Sequence, residues 1–313
     1  MTEETPCSAG AEAAGEQLEG SAPEAVGWVA LEQSGPWGAK AFTASHLDPA
    51  IGAAIEGAAA AHAVRPVLVR RPGRHADEHA HHGRDPRRVL VAHTRPGSSW
   101  LLSGTVAAPA DVLELDWAGL RDGDLDAVRR SLPSLTVLDR PQLLVCTNGT
   151  RDVCCAVRGR PVALGAAGLH PGRVWEVTHT SGHRFAPTAV LLPAGTLHGW
   201  LTVDGAAALL AEADAGTTVL DGSRGRSTWP GPAQVAELAV RRATAETDLD
   251  ALDIPVHTAT GEHAWSTTVR HRDGRQWQVD VVSEPTGQER AESCGKAATG
   301  LRRWRWTVAA AAE

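Results

Sequence analysis

The sequence predicts an α/β protein: an N-terminal α/β unit, a second α/β unit and a small antiparallel β appendage. Three observations predict it. Short apolar runs of strand length alternate with Ala-rich helical stretches as far as about residue 242. Beyond that point the helical runs stop, and polar and apolar residues alternate instead. Hydrophobic residues make up 42% of the 313, enough for an ordinary core and too much for general disorder.

Residues 1–24 are acidic and lack the basic and apolar regions of a signal peptide, so a disordered leader is expected. GWVALE, from Gly27, reads as a first strand, and Gly35-Pro36-Trp37-Gly38 as a rigid turn with a packed Trp37. A helix should start at Asp48-Pro49, where Asp caps free N–H groups and Pro suits the first helical position. Val67-Leu68-Val69 and Val89-Leu90-Val91-Ala92 read as strands on either side of the His-rich tract around His75, His79, His81 and His82. That tract reads as an exposed loop. Trp100-Leu101-Leu102 and Val112-Leu113-Glu114-Leu115 complete the strands of this unit, residues 25–138. Its end is marked by the charged stretch around 121–140 with Pro133 and Pro141.

The second unit, residues 139–243, opens on the strand Leu143-Leu144-Val145. A helix from about Ala156 to Ala167 follows, despite Gly159 and Pro161, and then strands at Val174–Val177 and Thr188–Leu192. A helix at Ala206–Ala213, a strand at Thr217–Leu220 and a helix at Ala233–Arg242 give an α/β alternation of thioredoxin-like size. In the tail, 244–313, His271–Arg275 reads as a hairpin turn, and Arg303–Val308 alternates as a half-buried strand does. Two or three antiparallel strands packed on the second unit are expected.

Composition removes several function classes. A net charge of −7 argues against nucleic-acid binding, and the Arg runs at 70–74 and 302–305 read as solvated surface or a docking site for an acidic partner. No run approaches the ~18–20 apolar residues that span a bilayer, so neither membrane nor nucleic acid is an expected partner. Without a signal peptide the chain is expected in the cytoplasm, where cysteines stay reduced. Five cysteines, two of them adjacent, do not make a disulfide scaffold; thiols close to histidines point to a metal or redox site. With Trp 11, Phe 2 and Tyr 0, tryptophans must do most of the aromatic packing.

The chemistry lies in Cys146-Thr147-Asn148-Gly149-Thr150-Arg151-Asp152-Val153-Cys154-Cys155 and in His179-Thr180-Ser181-Gly182-His183. Cys146 and His179 each follow a strand at its C-terminal end, where loops of α/β sheets converge on ligands. Asn148-Gly149 is a turn pair, and Gly182 allows a tight loop with both rings turned inward. Two thiolates and two imidazoles suit zinc or an iron-sulfur cluster. Eight residues separate Cys146 from Cys155, a wider loop than zinc fingers use and one that suits two irons. On spacing alone Cys154 can replace Cys155.

The segments LLVCTNGTRDVCCAVRGRPVA, VWEVTHTSGHRFAPTAVLLPAG and DGSRGRSTWPGPAQVAELAVRR resemble the sucrase/ferredoxin-like family of thioredoxin-like ferredoxins, over roughly residues 27–242. The resemblance implies a thioredoxin-like cluster-binding domain at 139–243 and a [2Fe-2S] cluster on Cys146, Cys155, His179 and His183. It places the second cysteine ligand on Cys155 rather than Cys154. Two departures stand out: Asn148 where the family commonly has His, and Ser181 where it commonly has Gly. The family name does not imply sucrose hydrolysis, since no motif sets two carboxylates across a bond.

The implied function is one-electron transfer with a redox partner protein. Two imidazoles on one iron imply a potential of roughly −150 to +300 mV, falling as pH rises through the ligand pKa. The competing readings are a structural zinc or interaction protein using the same four residues, and thiol-disulfide chemistry. The latter lacks a C-x-x-C motif. Arg151 and Asp152 are expected to pair locally or to bond the loop, and Arg184 likewise. Arg224 and Arg226 are candidates for electrostatic support, and Ser223 and Ser227 for capping. Cys7 is expected to be idle and Cys294 to have no partner.

Overall fold

The structure, a computed structural model, describes residues 6–73 and 86–310; the His-rich tract lies outside them. Where a disordered leader is expected, the chain forms α1 (Cys7–Ala13) and buries Cys7, Ser8 and Ala11. The reason is charge complementarity with the rest of the molecule. Glu12 pairs with Arg158, Glu16 with Arg184 and Glu19 with Arg242.

The apolar run β1 (Gly27–Glu32) lies parallel to β2 (Val64–Arg70), with α2 (Pro49–Ala60) as the crossover. Asp48 caps α2 by accepting from the N–H groups of Ala50 and Ile51. β3 (Arg87–His93), β4 (Trp100–Val106) and β5 (Thr136–Val137) continue antiparallel beyond β1. The strand expected at Val112–Leu115 is instead a 3-10 turn over Pro109–Glu114. Asp111 holds that turn by accepting from the Ala108 N–H at 2.9 Å. The charged stretch after it folds as α3 (Trp117–Asp122) and α4 (Leu125–Ser131), capped by Asp116 and Asp124.

β6 (Gln142–Cys146) and β7 (Val174–Val177) are parallel and joined by α5 (Val153–Leu169). β8 (Ala189–Leu192), β9 (Thr196–His198) and β10 (Ser223–Arg226) extend antiparallel from β6. α6 (Val203–Asp214) and α7 (Gly231–Thr244) accompany them. Thr217–Leu220 is not a strand. The Thr217 N–H turns back to the Glu212 carbonyl at the end of α6, leaving only a single bridge to Asp248.

All ten strands form one mixed sheet in the order β10-β9-β8-β6-β7-β2-β1-β3-β4-β5. The join between β2 and β7 is short, Val69 opposite Val177 and Arg70 opposite Glu176. It is reinforced by a buried Arg70–Glu176 pair at 2.8 Å, to which Thr147 Oγ1 adds a bond at 2.9 Å. Tryptophans do serve the core: Trp28 and Trp175 are fully buried.

The tail has four antiparallel strands rather than two or three: β11 (Leu252–Gly261), β12 (Ala264–His271), β13 (Gln276–Ala291) and β14 (Ala298–Ala310). Val269, Val279 and Val281 of this sheet pack on Val235, Ala236, Ala239 and Val240 of α7. β13 and β14 are long, and the loop between them carries Cys294 towards the start of α5.

Candidate metal centre

The site begins where two parallel strands end side by side. Cys146 closes β6 opposite Val177, which closes β7, so the Cys146 loop and the His179 loop leave the same edge of the sheet. Helix α5 lies hard against that edge. A Cβ on Gly159 would stand 2.2 Å from the Cys146 carbonyl oxygen, which accounts for a glycine inside the helix. Gly149 serves the same purpose, since its Cβ would meet that of Ala156 at 2.7 Å.

Asp152 caps α5 by accepting from the Cys154 N–H at 2.9 Å. Cys154 and Cys155 therefore stand in the first turn, about 100° apart round the helix axis, and face different neighbours. Cys155 Sγ is 3.3 Å from His183 Nδ1. The rings of His179 and His183 stack at 4.8 Å between centroids, 23° apart. Cys146 Sγ bonds the Thr178 carbonyl at 3.8 Å and interacts electrostatically with both Cys155 and His179. The four candidate ligands are thus linked pair by pair at one sheet edge, the two sulfurs buried and the two imidazoles half-buried, with no three of their donor atoms within 4.8 Å of one another. His179 Nδ1 is buried with no hydrogen-bond partner among the described residues.

The electrostatics separate the two thiols. The interaction between them dominates both: it lowers Cys146 well below the ordinary thiol range, helped by His179, and it raises Cys155. Of the two, Cys146 is the thiol that ionises more readily. Burial lowers both His179 and His183, so both rings are held neutral, the form that binds metal.

The histidine loop is pinned from outside. Ser181 and Gly182 both take left-handed conformations, with φ of 61° and 71°. Arg65 Nη2 donates to Ser181 Oγ at 3.0 Å, so the serine in place of the family's glycine gains a partner. Arg224 is fully buried and donates from Nη1 to the carbonyls of Ser181 (3.0 Å) and Thr180 (3.3 Å). Asn148 Nδ2 ties the cysteine loop to the Gly38 carbonyl at 3.0 Å, beside the buried Trp37. A cleft of ≈ 500 Å³ next to His179 is lined by Lys40, Arg65, Arg151 and Asn148.

Several expectations need correction. Of the two alternatives for Arg151 and Asp152, the local pair does not form: Arg151 reaches the Ala39 carbonyl, while Asp152 bonds its own loop through the Cys154 N–H and also accepts from Ser293 and Cys294. Arg184 pairs with Glu16 and Glu292 rather than bonding the loop. Arg226 supports β10 and α7 through the Leu249 carbonyl at 2.6 Å and Glu237 at 3.9 Å. Ser227 accepts from Trp28 Nε1 instead of capping.

Cys7 is neither idle nor is Cys294 alone. With Cys154 and Asp152 they form the one group of three or more such donors, among the described residues, whose ligand atoms all lie within 4.8 Å of one another. Such a group can hold a metal ion. Sequence spacing does not reveal it, because 147 and 140 residues separate Cys154 from its two sulfur neighbours.

The sequence profile of the sucrase/ferredoxin-like family matches residues 18–225, which include all four candidate ligands. No curated protein and no solved structure matches the chain. No helix among the described residues is long and apolar enough to cross a membrane.

Proposed function

The chain belongs to the sucrase/ferredoxin-like family, and from that premise we propose that Cys146, Cys155, His179 and His183 hold a [2Fe-2S] cluster in a one-electron carrier. The observation that carries this reading is the convergence of two buried sulfurs and two neutral imidazoles at one sheet edge. A bound cluster supplies one-electron redox chemistry. The donor set fits: sulfur and imidazole are the ligand types of a mixed Cys/His iron-sulfur site, and the partnerless His179 Nδ1 is a donor with nothing else to do. The four donors are linked pair by pair rather than gathered in one compact shell, which suits two irons better than a single ion.

The chain's own groups set the properties. Cys146 is the more acidic of the two thiols, and both cysteines would bind the metal as thiolates, with the loss of their protons. Two imidazoles in place of thiolates give a potential in the range of roughly −150 to +300 mV. Each imidazole would keep one ring nitrogen free of the metal, and titration of that nitrogen would couple electron uptake to proton uptake. The cleft beside His179 carries Lys40, Arg65 and Arg151 together with Glu24 and Glu56, a mixed-charge surface open to a redox partner next to the ligands.

The test is iron, acid-labile sulfide and zinc analysis of anaerobically purified protein, with its visible spectrum. Two irons and two sulfides per chain, with a colour that bleaches on reduction, support the reading. A colourless protein with zinc bound by two sulfurs and two nitrogens replaces it with a structural zinc site on the same residues.

A further inference from the structure

Three cysteines that the proposed carrier does not use come together beside it, from three remote parts of the chain. Cys7 begins α1, Cys154 lies in the first turn of α5, and Cys294 sits in the β13–β14 loop. Their sulfurs form a near-equilateral triangle: 3.6 Å from Cys7 to Cys154, 3.2 Å from Cys154 to Cys294 and 3.4 Å from Cys294 to Cys7. No pair is at the ~2 Å of a disulfide, and all three are free thiols. Asp152 Oδ2 lies on one side of the triangle, 3.8 Å from Cys7 Sγ.

We propose that Cys7, Cys154, Cys294 and Asp152 bind a zinc ion, and that this ion clasps both ends of the chain to the start of α5. Zinc with bonds of about 2.3 Å to sulfur sets tetrahedral ligands about 3.8 Å apart, so the edges of the triangle need to open by about 0.2 to 0.6 Å. Three thiolates and one carboxylate oxygen are donors that zinc accepts, whereas copper(I) favours an all-sulfur set. Binding displaces the thiol protons to solvent and transfers no electrons.

The carboxylate is positioned before any ion arrives. Asp152 Oδ1 accepts from the Cys154 N–H at 2.9 Å, and Oδ2 from Ser293 Oγ at 2.7 Å and the Cys294 N–H at 2.9 Å. Such second-layer bonds fix ligand orientation at metal sites. With zinc bound, Oδ2 gives up the Ser293 hydroxyl and keeps the Cys294 N–H. The segments to be clasped already touch: Arg290 donates to the Gly10 carbonyl, Arg158 pairs with Glu12, and Gln17 bonds the main chain of Trp304.

This site is independent of the proposed cluster, with which it shares no ligand, and the two are read by different elements. The experiment uses the full chain, purified anaerobically, with zinc added and the excess removed, and metals counted per chain. One zinc per chain is expected in addition to the iron. Cys7→Ser and Cys294→Ser should lower zinc about tenfold with iron content and visible spectrum unchanged, whereas Cys146→Ser should lose iron and keep zinc. Zinc-edge X-ray absorption on the unmodified protein covers the case in which a variant fails to fold, and should show three sulfurs and one oxygen. The proposal is overturned by a native chain that retains no stoichiometric zinc, by zinc that survives both cysteine variants, by zinc ligated by two sulfurs and two nitrogens, or by a Cys154–Cys294 disulfide in the native protein.

Discussion

Arg224 reaches from β10 to the Ser181 carbonyl, donating from Nη1 at 3.0 Å, and so holds from behind the loop that presents His179 and His183. The same guanidinium bonds Ser21 Oγ through Nε at 3.0 Å. Burial, reinforced by repulsion from Arg184 and Arg65, lowers its pKa to about 9, so it remains charged at neutral pH. No carboxylate pairs with it among the described residues; main-chain carbonyls and the Ser21 hydroxyl take its hydrogens.

Arg224→Met should therefore strand buried carbonyls and release the histidine loop, although Arg224 is no candidate ligand. A loss of about 3 kcal/mol in denaturant stability is expected, with less iron retained per chain. Arg224→Lys should recover only part of both, because an ammonium lacks the planar fork. Urea titration and iron analysis on the same preparations measure this.

Gly182 sits under that guanidinium. A Cβ there would stand 2.5 Å from Arg224 Nη2 and 3.1 Å from the Phe185 ring, at a φ of +71°. Gly182→Ala should cost about 2 kcal/mol from the left-handed conformation alone and should displace His183. Ser181→Gly is the contrasting change. It relieves a left-handed side chain but gives up the Arg65 bond, so a net change within about 1 kcal/mol is expected. Chemical denaturation of both variants compares them.

These relationships also mark how far the sequence could be read. The strand Val174–Val177 is visible as an apolar run, and α7 as a helical stretch, because local patterning determines both. β10 is invisible: Ser223-Arg224-Gly225-Arg226 looks like a loop, and is buried only because its arginines find carbonyls distant in sequence. β11 contains Pro255 and is largely exposed, so it shows no alternation. The four candidate ligands are legible because each adjoins a strand end or helix start. Cys7 and Cys294 are not, since their neighbours are fixed by tertiary contact alone.

The join between β2 and β7 rests on Glu176, buried between Arg70 and Thr147. Glu176→Ala should lower stability by about 1–3 kcal/mol, because it removes the buried carboxylate that accepts from both Arg70 and Thr147. The double change Glu176→Leu with Arg70→Met should recover much of that loss, since it removes both charges. Denaturant midpoints of the single and double variants decide it.

The apoprotein should lose stability in mild acid. Burial lowers the His198 pKa from 6.5 to about 4, assisted by the Arg224 charge and opposed by a main-chain bond with Asp221. Between those values the unfolded ring is protonated and the folded one is not, so unfolding takes up a proton. This contribution is complete above pH 6.5 and is lost as pH falls towards 4, reaching about 3 kcal/mol. His93, also lowered by burial, acts in the same direction. Denaturation midpoints between pH 7 and pH 4 should fall, and His198→Gln should flatten the slope.

On the reading proposed above, Cys146, Cys155, His179 and His183 hold two irons, with imidazole nitrogen bound to metal. Electron paramagnetic resonance of the dithionite-reduced protein, grown with ¹⁵N-labelled histidine, tests it most directly. The expected result is a spin-one-half signal with hyperfine coupling to two histidine nitrogens, absent from His183→Ala. A signal with no histidine coupling, or a protein that contains no iron and gives no signal, would contradict it.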